Sequence, residues 1–460
     1  MVRHIRRALA SGLVLLASLG SCDDNTIVRD VAIIGGGASG TFAAVKLRDA
    51  GKSIVLIEKE VILGGHTNTY QDPVTNQTVD YGVEVYHNQQ FVKDFFDRLN
   101  VSWTIADPNF ITSVTPQFLD PKTAKPVNYT PPDPTAGLQA YAQQLSQYPD
   151  VELGFFLPDP VPEDLLLPFG QFIEKYPDVA NATFTICSYG QGLGDELKQP
   201  TLYVFKNFGT DIIRDIATGF LVTTGQGNYE IYDHATKLLG HDVLLDSTVV
   251  NTTQRDNKGV ELTVQTPTGY QKVKAKKLLI TIPPKLDNLR PLSLNHRESD
   301  IFGKFIHTGY YTSLVNNTGL PPNYTAYTAS PDTQQNIPKL PGIYVVTGTA
   351  IDGVFDIKYG SPSPVPDEDV KREILSYVRK LQANGIAEKL PDDPQFVAYN
   401  SHAPFELTVP ADQIENGFYD DLYSLQGYRS TWYTGAAFHT QDSSMLWNFT
   451  SNYVLPDLLA

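Results

Sequence analysis

The run VAIIGGGASGTFAA sets the hardest limit on what this chain can fold into. Gly35, Gly37 and Gly40 form G-x-G-x-x-G between a strand-like run, Asp30 to Ile34, and an Ala-rich helical run, Ala38 to Ala50. Strand, glycine turn and helix in that order are the setting in which this motif holds a dinucleotide. Gly35 permits the tight turn, Gly37 lets the backbone approach a pyrophosphate, and Gly40 lets helix and strand pack closely. The helix start, with Ala38 and Ser39, offers unpaired N–H groups and positive potential to a phosphate. Ser53 to Glu58 reads as a second strand, and Glu58 at its end is placed to accept hydrogen bonds from adenosine ribose hydroxyls. A glycine turn without a ligand is the bland reading, and the flanking strand and helix count against it.

The fingerprint alone does not separate FAD from NAD. The segment after it, ILGGHTNTY, brings a second glycine doublet, Gly64 and Gly65, followed by His66. With Asp80-Tyr81-Gly82 further on, this pattern resembles the flavin-containing amine oxidase superfamily. The branch it resembles holds prenylcysteine oxidases and the fungal β-cyclopiazonate dehydrogenase. The family's usual arginine after the doublet is His66 here, and a histidine can still donate a hydrogen bond. Three later segments extend the resemblance. DSTVVNTTQ, with Val249, is similar to the strand whose backbone contacts adenine. KKLLITIPPKL, with Pro283, is similar to the strand that ends beside the flavin. YRSTWYTGAAFHTQDSSMLWNF, with Gly435, is similar to the closing flavin segment, although Ala436 stands where many members carry an acidic residue. In YNSHAPFE the resemblance brings His402 to the dimethylbenzene edge of the ring. His66 and His402 are therefore candidates to bond FAD, His402 through the flavin methyl group.

The resemblance implies FAD as cofactor and oxidation of a C–N, C–C or C–S centre of a small organic molecule, such as a secondary metabolite. A prenylcysteine-like thioether is the next substrate. A single dinucleotide fingerprint leaves no seat for NADPH, so dioxygen or another electron acceptor should reoxidise the flavin. The sequence assigns no catalytic residue. Two other classes remain open: an NAD-dependent dehydrogenase, which a yellow protein would exclude, and a flavin-binding protein without turnover.

At 460 residues the chain exceeds what one core usually serves. The expected fold is α/β. A discontinuous Rossmann-type FAD-binding domain would take 27–95, 225–300 and 395–460. An inserted α+β substrate domain would take 96–224 and 301–394, the second stretch with a mostly antiparallel sheet. Residues 228–240 and 366–384 read as helices, and 242–245, 259–265 and 277–282 as strands. The Pro-rich stretch 116–168 reads as loops with short helices. Gly190, Gly192 and Gly194 lack the dinucleotide spacing and read as a loop, and Tyr310, Tyr311, Tyr324 and Tyr327 as packing residues of strands.

Residues 1–22 have a basic start and a short apolar run ending in small residues, as a cleaved signal peptide does. Leu19-Gly20-Ser21-Cys22 also resembles a lipoprotein box, and Arg6-Arg7 a twin-arginine signal. Eight N-x-S/T sequons, at Asn76, Asn100, Asn128, Asn181, Asn251, Asn316, Asn323 and Asn448, favour the secretory route and N-glycosylation. No later run is long enough to give a stable membrane span. With a net charge of −16, nucleic-acid binding is not expected. Only Cys22 and Cys187 are present, so no disulfide framework is expected. The histidines lack metal-ligand spacing, and no G-x-S-x-G elbow occurs.

Overall fold

The computed structural model describes residues 26–106 and 115–460. The leader, 1–22, lies outside them. Strand β1 (Thr26–Ile34) leads through Gly35–Gly37 into helix α1 (Ala38–Asp49), and the chain returns as β2 (Ile54–Ile57). Val31 to Ile34 and Ile54 to Ile57 are buried throughout, as strands covered on both faces must be. Phe42, Ala43, Ala44, Val45 and Leu47 give α1 its buried face, while Lys46 and Arg48 complement the dipole in its last turn.

Seven strands make the first sheet. Its order runs Val243–Leu244, β2, β1, Gly269–Ile280, Gly259–Thr266 and Thr248–Asp256, with Thr431–Tyr433 branching from Gly269–Ile280. The 12-residue strand Gly269–Ile280 is the hinge of this topology. It pairs with β1 in parallel along its length. On its other edge the first half pairs antiparallel with Gly259–Thr266, and Leu278 to Ile280 pair in parallel with Thr431–Tyr433. The C-terminal ends of four parallel strands therefore meet at one place: Ile34, Ile57, Ile280 and Tyr433.

A second sheet of six strands runs Gln395–Ser401, Gly309–Asn316, Phe355–Ser361, Gly342–Gly348, Thr325–Thr328 and Gln117–Leu119. All its pairings are antiparallel except the last. Helix Asp367–Ala383 lays Val370, Ile374, Tyr377, Val378 and Leu381 on one face, against Tyr311, Val315, Ile357 and Tyr359. By strand alternation the other face carries Tyr310, Thr312, Leu314, Asp356 and Lys358. The short strands β3 (Thr69–Gln71) and β4 (Thr78–Asp80) contribute Tyr70 and Val79, which pack with Leu314 and Tyr81 over that face. Gln395–Ser401, grouped by sequence with the FAD-binding segments, pairs in this second sheet. Short helices between Thr135 and Thr218 pack Tyr141, Phe169, Phe172 and Phe205 into the first sheet's core.

Candidate active site

The glycine turn is built by contact as much as by conformation. Gly35 has φ +104°, and a Cβ there would lie 2.6 Å from Thr281 Oγ1. A Cβ on Gly40 would overlap the Gly35 carbonyl oxygen. Thr281 Oγ1 donates to the carbonyls of Ile34 and Gly35, at 3.0 and 2.9 Å, and ties the turn to the strand that leads to Pro283. On the other side, the missing side chains of Gly37 and Gly65 face each other: a Cβ on Gly65 would come 2.9 Å from Gly37 Cα. The Gly64 N–H donates to the Gly36 carbonyl at 2.9 Å, which holds the two glycine turns together.

The other residues singled out in the sequence lie around this pair of turns. Glu58 is buried, its Oε2 accepting from the Gly36 N–H at 2.6 Å and its Oε1 from the Glu60 N–H at 2.9 Å. Ser247 donates its N–H to the Glu58 carbonyl at 2.8 Å, and Val249 follows two residues on. Gly435, at φ +109°, ends the strand beside Thr281. Trp447 donates to the Ala38 carbonyl at 3.1 Å and links the last helix, Ser443–Phe449, to the start of α1. Ser39 Oγ is sealed from solvent without a hydrogen-bond partner. An orphaned hydroxyl at a helix start, beside two facing turns without side chains, fits a bound pyrophosphate.

The second turn continues into a cluster of packed rings. The carbonyls of His66 and Asn68 accept the N–H groups of Val83 and Tyr81, so the Asp80-Tyr81-Gly82 segment runs beneath the doublet. His66 stacks on His402, with ring centroids 4.2 Å apart and planes 12° from parallel. The two histidines are remote in sequence and meet here. His402 Nε2 lies 2.9 Å from Asn68 Oδ1, so it donates there and leaves Nδ1 unprotonated. Burial holds both rings neutral, pulling His66 down to about 4 and His402 well below its usual value. Phe405 lies 5.7 Å from His66 and 4.9 Å from Tyr310, and Tyr344 6.3 Å from Tyr310. The Tyr310 hydroxyl donates to Gln191 Oε1 at 3.1 Å.

Residues 190–194 do form a loop, and that loop packs against the ring cluster through Gln191 and Gly192. Tyr311, Tyr324 and Tyr327 pack in the sheet cores. Tyr310 faces His402 and Phe405 instead, because strand alternation turns it away from the packing helix.

Sequence reasoning passed over two buried groups. His87 Nδ1 lies 2.8 Å from Asp215 and its Nε2 3.3 Å from Asp442, the N-cap of the last helix. Burial alone would depress His87; the carboxylates of Asp442 and Asp215 outweigh that and raise it to about 10. Lys206 is likewise buried, donating to the Val151 carbonyl at 2.6 Å and lying 3.3 Å from His439 Nε2. Burial drives its amine well below the usual lysine value, against the pull of Glu152 and Glu406. Neither site has a local motif; only the fold assembles them. Among the described residues no group of side chains could hold a metal ion.

Parallel strand ends that carry a glycine turn, a buried carboxylate and a second glycine turn define a dinucleotide-binding oxidoreductase. The family model of the NAD(P)-binding Rossmann-like domain matches residues 33–99. An FAD-dependent oxidoreductase of Cochliobolus heterostrophus is 42% identical, over 94% of this chain and 92% of its own length. Beta-cyclopiazonate dehydrogenase of Aspergillus oryzae is 34% identical over 98% of both chains. This chain belongs to that family of FAD-dependent oxidoreductases. Among solved structures, a fatty acid isomerase from P. acnes superposes with a TM-score of 0.74 at 19% identity, covering 93% of this chain and 98% of its own. A putrescine oxidase gives 0.63 at 18%, covering 94% and 99%. These two share the fold.

Proposed function

We propose that this protein is a secreted FAD-dependent oxidase or dehydrogenase that oxidises a C–N, C–C or C–S centre of a small organic molecule. The observation that carries the reading is that the chain leads straight from the Gly37–Gly65 cradle into the ring cluster of His66, His402, Tyr310 and Phe405, which we read as the wall of a substrate cleft. The chain's residues divide the work between the two. The backbones of Gly37, Ala38 and Gly65 with Ser39 Oγ hold the pyrophosphate, and Glu58 and the backbone at Val249 the adenosine. Pro283 and Gly435 border the ring, and FAD when bound supplies the two-electron acceptor.

In the cleft, rings exclude water and orient a flat substrate, while Gln191 offers a neutral hydrogen-bonding group. Because both histidines are neutral, the cleft suits an uncharged planar substrate, and Nδ1 of His402 is left as a proton acceptor or a point of attachment. Dioxygen or another electron acceptor completes the cycle. Six of the eight sequon asparagines are exposed and Asn316 and Asn448 are half-buried, which supports the secretory reading.

The reading is tested on purified full-length protein, by flavin absorbance and by hydrogen peroxide release across amines, thioethers and indolic compounds. A Gly37→Val variant should be colourless, because its side chain would fill the space between the turns. Stoichiometric FAD retained in that variant would remove the cradle from the reading. Absence of any turnover with oxygen or artificial acceptors would make the chain a flavin-binding protein only.

A further inference from the structure

A cavity of about 460 Å³ opens at the far end of the second sheet, on the face that carries the cleft. Six residue steps of extended strand, from Tyr310 to Asn316, separate the two, which is about 20 Å. Tyr70, Ile351, Leu390 and Val397 give the cavity apolar walls, and the carboxylates of Asp72, Asp352 and Glu388 line it as well, so its surface is mixed. None of its lining residues is a lysine or arginine, so an anionic ligand is disfavoured.

The sequon Asn316-Asn317-Thr318 is itself part of the lining. Asn316 ends the strand Gly309–Asn316 half-buried, its Oδ1 sealed without a partner. Nothing among the described residues bonds its Nδ2. Asn448 differs: its Oδ1 accepts from Asn452 Nδ2 within the last helices. None of the six exposed sequon asparagines lines this cavity. An aromatic and aliphatic floor with free carboxylates nearby matches a sugar, whose C–H face packs on rings and whose hydroxyls donate to carboxylates.

We propose that Asn316 carries an N-linked glycan whose first N-acetylhexosamine units lie in this cavity, so that the protein fills its own hollow with a covalently bound sugar. The proposal rests on the secretory reading above. A polyprenyl diphosphate-linked oligosaccharide is the donor. The bond from Asn316 Nδ2 to sugar C1 forms, the bond from C1 to the lipid diphosphate breaks, and the amide proton leaves with the diphosphate.

The test uses the full chain secreted from a eukaryotic host. Glycopeptide mass spectrometry should find Asn316 occupied along with Asn76, Asn251 and Asn323. Peptide-N-glycosidase acting on the native protein should release the Asn251 glycan and spare that on Asn316 until the protein is heat-denatured. Asn316→Gln should lower the melting temperature more than Asn251→Gln, although the native protection experiment needs no variant. An empty Asn316 beside occupied exposed sequons overturns the proposal and leaves secretion standing. Release from Asn316 as fast as from Asn251 also overturns it. No glycan at any sequon overturns the secretory reading, and the proposal with it.

Discussion

Two residues set the terms at the smallest scale. Asn68 holds Nε2 of His402 and so directs Nδ1 as the free nitrogen of that ring. If the flavin methyl group is bonded there, acid precipitation should leave the pellet yellow, and His402→Ala should move the colour to the supernatant. A yellow pellet from His402→Ala would place the bond on another residue. His87 offers a pH test with a definite sign. Its folded value is raised from 6.5 to about 10, so the stability it contributes is complete below pH 6.5 and is lost as pH rises through about 10. Unfolding by urea at a series of pH values should show that decline, and His87→Gln should flatten it; an unchanged slope would deny His87 the role. Gly35, Gly37, Gly40, Glu58 and the doublet were legible in the sequence because their geometry is local. Asn68, Gln191 and the carboxylates around His87 were not, since long-range folding alone brings their partners to them.

At the scale of elements, the closing strand Thr431–Tyr433 is pinned from behind. Arg255, on Thr248–Asp256, pairs with Glu298 in full burial and lies 3.3 Å from both Thr431 Oγ1 and the Tyr433 hydroxyl. Arg429 meets the same carboxylate at 2.8 Å, and Glu298 also closes the capping box of helix His296–Phe302. Glu298→Ala would leave buried Arg255 unpaired, which costs about 3–5 kcal/mol. Its melting temperature should fall sharply, and FAD retention with it, since the strand that ends in Gly435 loses its anchor; a melting temperature within a degree of the parent would refute this. The strand at 277–282 was legible from its apolar run, but its full reach, Gly269–Ile280, was not. Residues 272–276 alternate exposed lysines with buried positions, because there only one face is covered.

For the whole molecule, the joint between the two sheets matters most. Lys358 of the second sheet donates to the Tyr81 carbonyl at 2.8 Å and pairs with Glu84 at 2.8 Å and Asp356 at 2.9 Å. Two of these bonds cross to the segment that follows β4, and the third holds Asp356 of its own strand. Lys358→Met removes the cation and leaves Asp356 buried without its partner, a loss of about 3–5 kcal/mol. Scanning calorimetry should show a lower transition for the variant, and an unshifted transition would mean that other contacts hold the sheets together. The α/β class was legible from one motif and its flanks. The sheet pairings were not, because a strand such as Gln395–Ser401 carries no mark of which sheet it joins.

The branching of Gly269–Ile280 also fixes a calendar for the nascent chain. Its partner on the ring side, Thr431–Tyr433, follows the first glycine turn by 391 residues, counted from Gly40 to Thr431. Domains that fold during synthesis fill in from the N-terminus, yet the ring side of this site cannot close until Thr431–Tyr433 has been made. Cofactor capture therefore waits for that strand, and FAD must be present in whichever compartment holds the chain at that moment. A ribosome-stalled chain ending before Thr431 should bind no flavin, while one extended through Ala460 on a linker should.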